Sequence, residues 1–581
     1  MGELIYSGDA AADDDMLEQA QLCFPGTLDS NRIAGKVVLC DRGDTALIVK
    51  SYAVAQAGGI GMILANLEDS GQSISADFHF VPSIHVDPAS GAAIRTYAQS
   101  GEAHAEITAG EQLIVEAPEV ANFSSRGPAL AGKGDLLKPD ILAPGVDIIA
   151  AVSPYNAMGE NFGAYSGTSM SSPHIAGVAA LLKQGHPDWS PAEIKSALMT
   201  SATTTTNEGK PIIGGALDYG AGFVQPNAAD NPGLVYDADL NDWFLYLCGT
   251  GELPDGFCPS AGIDPSDLNY PSIAIGALTA QQRVVRRVTN AGDSEATFTA
   301  TVEAPPGIDT VLDPTTLTLA PGGEADYSIT FTPAENAAIG SFSEGSITWV
   351  NADSSARSPI VVRPVILDAP GEITEVGETG TAEFDVAFGA SGAFGTVFSG
   401  MSAAATYEGA VLDDPTNNLG GALQSEGFVG LDLKLVTIPP GARHQRIALF
   451  DEYTSGEDDL DLFVFKYVGE DLVFVDFSSN DTSAEYVDIV NPQSDGGSFF
   501  VLVHGFNTEG SGTDYTLFSF SLIGDEGNTS ILTPPDAVLG ASNTVTVNWV
   551  GLESDTKSMG MIEYTIDGSP VGRTLLRIDT D

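Results

Sequence analysis

The stretch Gly167-Thr168-Ser169-Met170-Ser171-Ser172-Pro173-His174-Ile175-Ala176-Gly177 constrains the fold more than any other in this chain. It sets a serine between small residues at the head of an apolar run and predicts a helix over 169–184. Pro173 falls in the first turn, where a missing N–H is harmless. Ala176, Gly177, Ala179 and Ala180 suit a helix packed closely in a central core. A serine at a helix N-terminus has backbone N–H groups and the positive dipole end beside it. That placement suits a nucleophile whose attack creates an oxyanion; a structural N-cap is the plain alternative.

The flanks set this helix among several domains, since 581 residues are too many for one core. Residues 1–115 read as a small α/β unit: a buried strand at 35–40, a helix over 44–57, and further strands at 61–66 and 81–86. Glycines 58, 59 and 61 follow a helix and precede a strand, the wrong order for a dinucleotide loop. Tight loops around Asn122-Phe123-Ser124-Ser125-Arg126-Gly127-Pro128 and Lys138-Pro139-Asp140 lead to the serine, with Arg126 read as a structural hydrogen-bond donor. After it, Ser190-Pro191-Ala192-Glu193 is a capping box with proline at the first helical position. Beyond 265 the chain is rich in Thr, Val, Gly, Pro and Phe, as β-sandwiches are.

On these residues the serine segment resembles the serine box of subtilisin-like serine peptidases, the subtilases. The run Lys36-Val37-Val38-Leu39-Cys40-Asp41-Arg42-Gly43 resembles the protease-associated domain inserted in many of them. Asn231-Pro232-Gly233-Leu234-Val235-Tyr236 and Leu268-Asn269-Tyr270-Pro271-Ser272 narrow the resemblance to the cucumisin-like type. The fold class expected is multidomain, α/β plus all-β. It would comprise a protease-associated domain at 1–115 and the C-terminal half of a subtilase catalytic domain, with a connecting segment, at 116–265. A fibronectin type III-like domain would follow at 266–368, a prepeptidase C-terminal-type β-sandwich at 369–527 and a small β unit at 528–581. The resemblance implies Ser169 as nucleophile and Gly167 and Thr168 in substrate binding, with protein or peptide substrates and no required cofactor.

A serine needs a histidine base, and the base an orienting carboxylate. Seven histidines are present, at 79, 85, 104, 174, 186, 444 and 504, and none stands in the family's His-Gly-Thr context. The Asp and oxyanion Asn boxes are likewise not found. In the family all three precede the inserted domain, so the expectation is a chain lacking the N-terminal half of its catalytic domain and inactive alone. The alternative is a non-catalytic extracellular binding protein built of the same modules.

Charge narrows the partners. Seventy-nine acidic residues against 23 basic ones leave a net charge of -56, so nucleic acid and anionic membranes are repelled. No apolar run reaches membrane-spanning length. Asp458, Asp459 and Asp461 are candidate calcium ligands, though exposed acids on an alternating strand explain them equally. Four cysteines fall in two local pairs, Cys23 with Cys40 and Cys248 with Cys258. Two disulfides in an extracellular protein, or four buried thiols, are the readings; the first is expected. Residues 1–6 do not form a signal peptide, so the true beginning of a secreted chain is expected to be missing.

Overall fold

The computed structural model describes residues 1–581 except 44, 68–73, 111–114, 155–158, 160, 252, 254–255, 259–261, 426, 457, 469–470, 493–496, 509 and 581. The chain divides into two compact units, residues 1–276 with 282–363 and residues 277–281 with 364–581. It is multidomain, α/β followed by all-β.

The first unit begins with a five-stranded sheet in the order Ser83–Val86, Gly61–Ala65, Val37–Asp41, Gly2–Tyr6, His104–Ala105. Its first four strands are parallel and the fifth is antiparallel. Val37–Asp41 and Gly61–Ala65 are buried at every position, which is why they read as unbroken apolar runs. The helix Leu47–Gln56 covers one face through Ile48, Ala53 and Val54. Pro88–Ala98, capped by the Asp87 carboxylate, covers the other through Ile94 and Ala98. Cys23 and Cys40 are bonded, tying a surface turn to the central sheet, and Cys248 is bonded to Cys258.

The serine helix runs Thr168–Gly185, preceded by an antiparallel pair, Ile148–Ala151 with Phe162–Tyr165. The helix Pro191–Thr200 starts at the capping box: Ser190 Oγ accepts from the Glu193 N–H, and the Glu193 carboxylate accepts from the Ser190 N–H. Ile194 and Leu198 pack with Leu182, Val224 and Ala229 in a small core. Tyr236 then carries the chain into a β-sandwich. Leu234–Val235 adds as an edge strand to Gln282–Asn290, and the Tyr236 hydroxyl meets Tyr327 Oη at 2.7 Å and Ser358 Oγ at 2.9 Å. The sandwich holds a four-stranded and a five-stranded sheet around Phe298, Tyr327, Phe331 and Trp349. Inside it Arg286 is fully buried without a carboxylate hydrogen-bonding its guanidinium among the described residues. It donates instead to the carbonyls of Ser266, Tyr270 and Ser272.

In the second unit the strand pairing departs from the expected division at 527. Gly380–Phe388 pairs with Ser542–Trp549, Gly392–Ala403 with Lys557–Ile566, and Glu372–Val376 with Ser569–Asp579. Residues 528–581 are therefore the second half of a sandwich begun at 367, and not a small unit of their own. Between the halves, residues 405–522 form a complete sandwich from two four-stranded sheets. Local sequence could not show this, because each half-sandwich alternates normally and only the long-range partner differs. The two sandwiches join through Phe518, Phe520, Met559, Met561 and Leu575. Trp549 closes the split core, 1% exposed, with its indole N–H on the Gly377 carbonyl. Trp549→Ala is expected to cost the split sandwich ~3–5 kcal/mol. Calorimetry should show one transition of the second unit moving down while that of the first unit stays.

Candidate active site

Ser169 is the second residue of the helix Thr168–Gly185 and is exposed. Two contacts seat the helix start on the loop 143–145. The Gly167 N–H donates to the Gly145 carbonyl at 2.8 Å, and Ser171 Oγ donates to the Ala143 carbonyl at 3.1 Å. A Cβ at Gly145 would stand 2.2 Å from Ser171 Oγ and 3.0 Å from the Gly167 carbonyl oxygen, so a larger residue there would displace this hydroxyl. Asp147 braces the same end. Its carboxylate accepts from the Ser166 hydroxyl at 3.3 Å and from the Ala76 N–H at 2.8 Å, linking the serine segment to the α/β unit.

Two open clefts flank this helix start. One, about 400 Å³, has Thr168 and Ser171 in one wall and Pro118, Val120, Leu142 and Phe223 opposite. The other, about 430 Å³, lies between Arg42, Asp77, Phe123, Tyr165 and Ser166. An apolar trough beside a serine at a helix N-terminus can hold an extended chain with its backbone near the hydroxyl. Gly167 and Thr168 stand at that junction.

Among the described residues no imidazole or carboxylate hydrogen-bonds the Ser169 hydroxyl. His174 turns back along its own helix, its Nδ1 2.8 Å from the Met170 carbonyl oxygen. His186 sits past the far end, roughly 25 Å away at the rise of a helix. There it meets Asp230 at 3.0 Å and stacks on Trp189. His79, His85 and His104 belong to the α/β unit, where His85 Nε2 pairs with Asn66 Oδ1 at 2.7 Å. His444 and His504 lie in the other compact unit.

Behind the serine loop stands a cluster whose members, apart from the Lys-Pro-Asp run, carried no recognisable signal. Asp140 holds Lys195 at 2.8 Å, Lys138 at 2.9 Å and the Tyr270 hydroxyl at 2.7 Å. Burial raises the Asp140 carboxyl, but Lys195, Lys138 and the Tyr270 hydrogen bond outweigh it and hold it below the usual range. Burial and the Lys138 charge press Lys195 below its ordinary value despite Asp140, since two ammonium groups share one carboxylate. Arg126 acts as the structural donor expected of it, pairing with Asp218 at 2.5 Å and donating to the Ser124 carbonyl.

The three candidate calcium ligands do not converge on a cation. Asp461 is taken by His504 Nδ1 at 2.8 Å, and the opposite ring nitrogen meets Asp414 at 2.9 Å. Burial, then the charges of Asp461 and Asp481, push the Asp459 carboxyl up to about 6. Among the described residues no three His, Cys, Asp or Glu side chains are grouped to hold a metal ion. Nor is any described helix long and apolar enough to cross a membrane.

Residues 50–223 match the Subtilase family, residues 1–94 the PA domain and residues 267–362 the Fibronectin type-III domain. The chain is 37% identical over 402 residues to Subtilisin-like protease SBT1.4 of Arabidopsis thaliana, covering 62% of this chain and 50% of that protein. It is 38% identical over 391 residues to Subtilisin-like protease SBT5.4 of the same plant, with the same coverage. The chain thus spans about half the length of the relatives it matches.

Two outcomes follow from the geometry. Asp140, with its carboxyl held low in the folded state, stabilises above the unfolded value of about 4, and that contribution fades as pH falls through the folded value. Asp140→Asn should cost about 1.5–3 kcal/mol at neutral pH, with the gap to the parent closing in acid, as read by unfolding at a series of pH values. Limited proteolysis is the second check. Of the serine helix only Leu182 is buried, and Leu181 is 66% exposed. The earliest cuts should fall between Phe123 and Asn227, leaving fragments from both sides. Equal resistance there and in the sandwiches would contradict it.

Proposed function

We infer that this chain, which belongs to the subtilase family in its cucumisin-like form with a PA domain, carries the nucleophile and substrate trough of a serine-type endopeptidase. The observation that carries this reading is the seating of Ser169. It lies in the first turn of Thr168–Gly185, between Thr168 and Ser171, which line the 400 Å³ trough, with its hydroxyl free of any structural partner among the described residues. A hydroxyl used as an N-cap would be bonded to the helix backbone.

In this reading Ser169 Oγ attacks the peptide carbonyl, and its proton passes to a histidine held by an aspartate. The oxyanion rests on the Ser169 N–H and an asparagine donor, and the amine leaves with the proton returned by histidine. Water then hydrolyses the acyl-enzyme by the same route. Gly167 and Thr168 line the bound peptide. Among the described residues no histidine, aspartate or asparagine stands beside Ser169 in these roles, and in this reading they come from a further part of the catalytic domain. Two disulfides and a strongly acidic surface support an extracellular setting. A second reading, a non-catalytic binding protein made of these modules, is favoured by the missing base alone.

The test compares casein hydrolysis by residues 1–581 with that by a longer polypeptide that also carries the three missing boxes. The shorter chain should be inactive, and Ser169→Ala should leave it unchanged. The longer one should hydrolyse casein and lose at least about 10⁴-fold of kcat on Ser169→Ala. Turnover by residues 1–581 that Ser169→Ala abolishes would falsify the incomplete-machinery reading. An inactive longer polypeptide would favour the binding protein.

A further inference from the structure

The sandwich inserted at 405–522 presents an outer face that is the reverse of the rest of this acidic chain. Its sheet runs Leu431–Ile438, Gly497–Asn507, Asp459–Val468, Asp471–Ser478. The inward residues, such as Val436, Leu462, Val464 and Val501, form the core. By alternation the outward ones should meet water and be polar. Instead two adjacent rows cross all four strands without a charge. One is Leu435, Phe500, Phe465, Phe474; the next is Leu433, Leu502, Phe463, Phe477. The rings interlock: Phe463 stacks on Phe477 with centroids 5.7 Å apart, and Phe465 meets Phe474 edge-on at 5.6 Å.

Much of this surface is open. Leu433 is 54% exposed, Leu435 53%, Phe474 51% and Phe477 51%, and Tyr467 and Leu472 at the same edge are alike. Six half-exposed side chains of about 200 Å² each leave on the order of 600 Å² of apolar surface. Phe463, Phe465 and Phe500 add to it. A monomer's largest apolar patch is usually ~300–600 Å², whereas a stable pairing uses ~800 Å² from each partner. Among the described residues, the charge on the next row is the His504–Asp461 pair, and His504 is 1% exposed.

We propose that this face is the interface of a homodimer, with the same sheet of a second copy of the chain laid against it. The area meets the lower end of the roughly 600–1,000 Å² per partner that specific interfaces bury, and a twofold axis through the two rows sets Leu and Phe against Leu and Phe. Sheets pack face to face about 10 Å apart through such interdigitated rows. Each copy carries a charge of -56, so association must overcome mutual repulsion and should strengthen as salt screens it.

Light scattering of the full chain after size exclusion, in low and in high salt, tests this. The expected mass in high salt is twice 60.2 kDa, with partial dissociation in low salt. The double variant Phe474→Asp/Phe477→Asp should be monomeric in both, its association constant reduced about 100-fold or more. Leu433→Lys/Leu435→Lys, on the opposite edge strand, should do the same. Leu532→Asp, exposed outside this sheet, should leave the dimer intact. Unchanged thermal unfolding of the variants separates loss of pairing from loss of fold. A monomeric parent chain in high salt would overturn the proposal and leave the face to another occupant. So would a dimer that survives both double variants.

Discussion

A single tyrosine hydroxyl, buried beyond the reach of water, is the joint on which the first unit depends. Tyr236 Oη bonds to Tyr327 and Ser358 inside the fibronectin-type sandwich, while the Tyr236 N–H donates to Ser196 Oγ in the helix Pro191–Thr200. A buried phenol without partners is costly, so the short strand Leu234–Val235 can dock in one register only. That register sets the helix Pro191–Thr200, whose Ile194 and Leu198 hold Leu182 and with it the serine helix. The position of Ser169 is thus inherited from a β-sandwich that begins about 100 residues further along the chain.

A few of the chain's cations, Arg286, Arg446 and Lys557 among them, are buried and act as internal fasteners. Arg286 gathers the carbonyls of 266–272 into the sandwich. Arg446, 4% exposed, bridges Asp488 and Glu372 and so joins the inserted sandwich to the split one. Lys557, 2% exposed, reaches Glu452 and Asp579 across the same joint. Buried pairs of this kind contribute specificity of assembly more than raw stability. With 79 acidic residues against 23 basic ones, most of the carboxylates remain unmatched by a cation.

Much of the architecture was legible because it was local. The capping box at 190–193, the buried runs at 37–41 and 61–65, and the serine helix each carry their signal within a dozen residues. The two cysteine pairs are local as well, and the structure joins both. What could not be read was pairing over distance. Nothing near Gly380 tells that its partner is Trp549, and nothing near Asp140 tells that Tyr270 will donate to it. The apolar outer face at Phe465 and Phe474 hid for a related reason: an alternating strand shows two faces but not which of them the core takes.

The split sandwich also bears on how the chain is made. Trp549 and the carbonyl it binds at Gly377 are 172 residues apart. At about 5–20 residues per second, the strands of 372–403 leave the ribosome roughly 10–30 s before their partners exist. During that time Phe384, Val386, Phe388 and Phe394 are half of a core with nothing opposite. The inserted sandwich emerges meanwhile with all eight of its strands and can close at once. Its two ends would then hold the waiting half close to where the last strands arrive. Biosynthetic order therefore makes the nested domain a folding template for the one that encloses it, and slower translation across 405–522 should help the outer sandwich rather than hinder it.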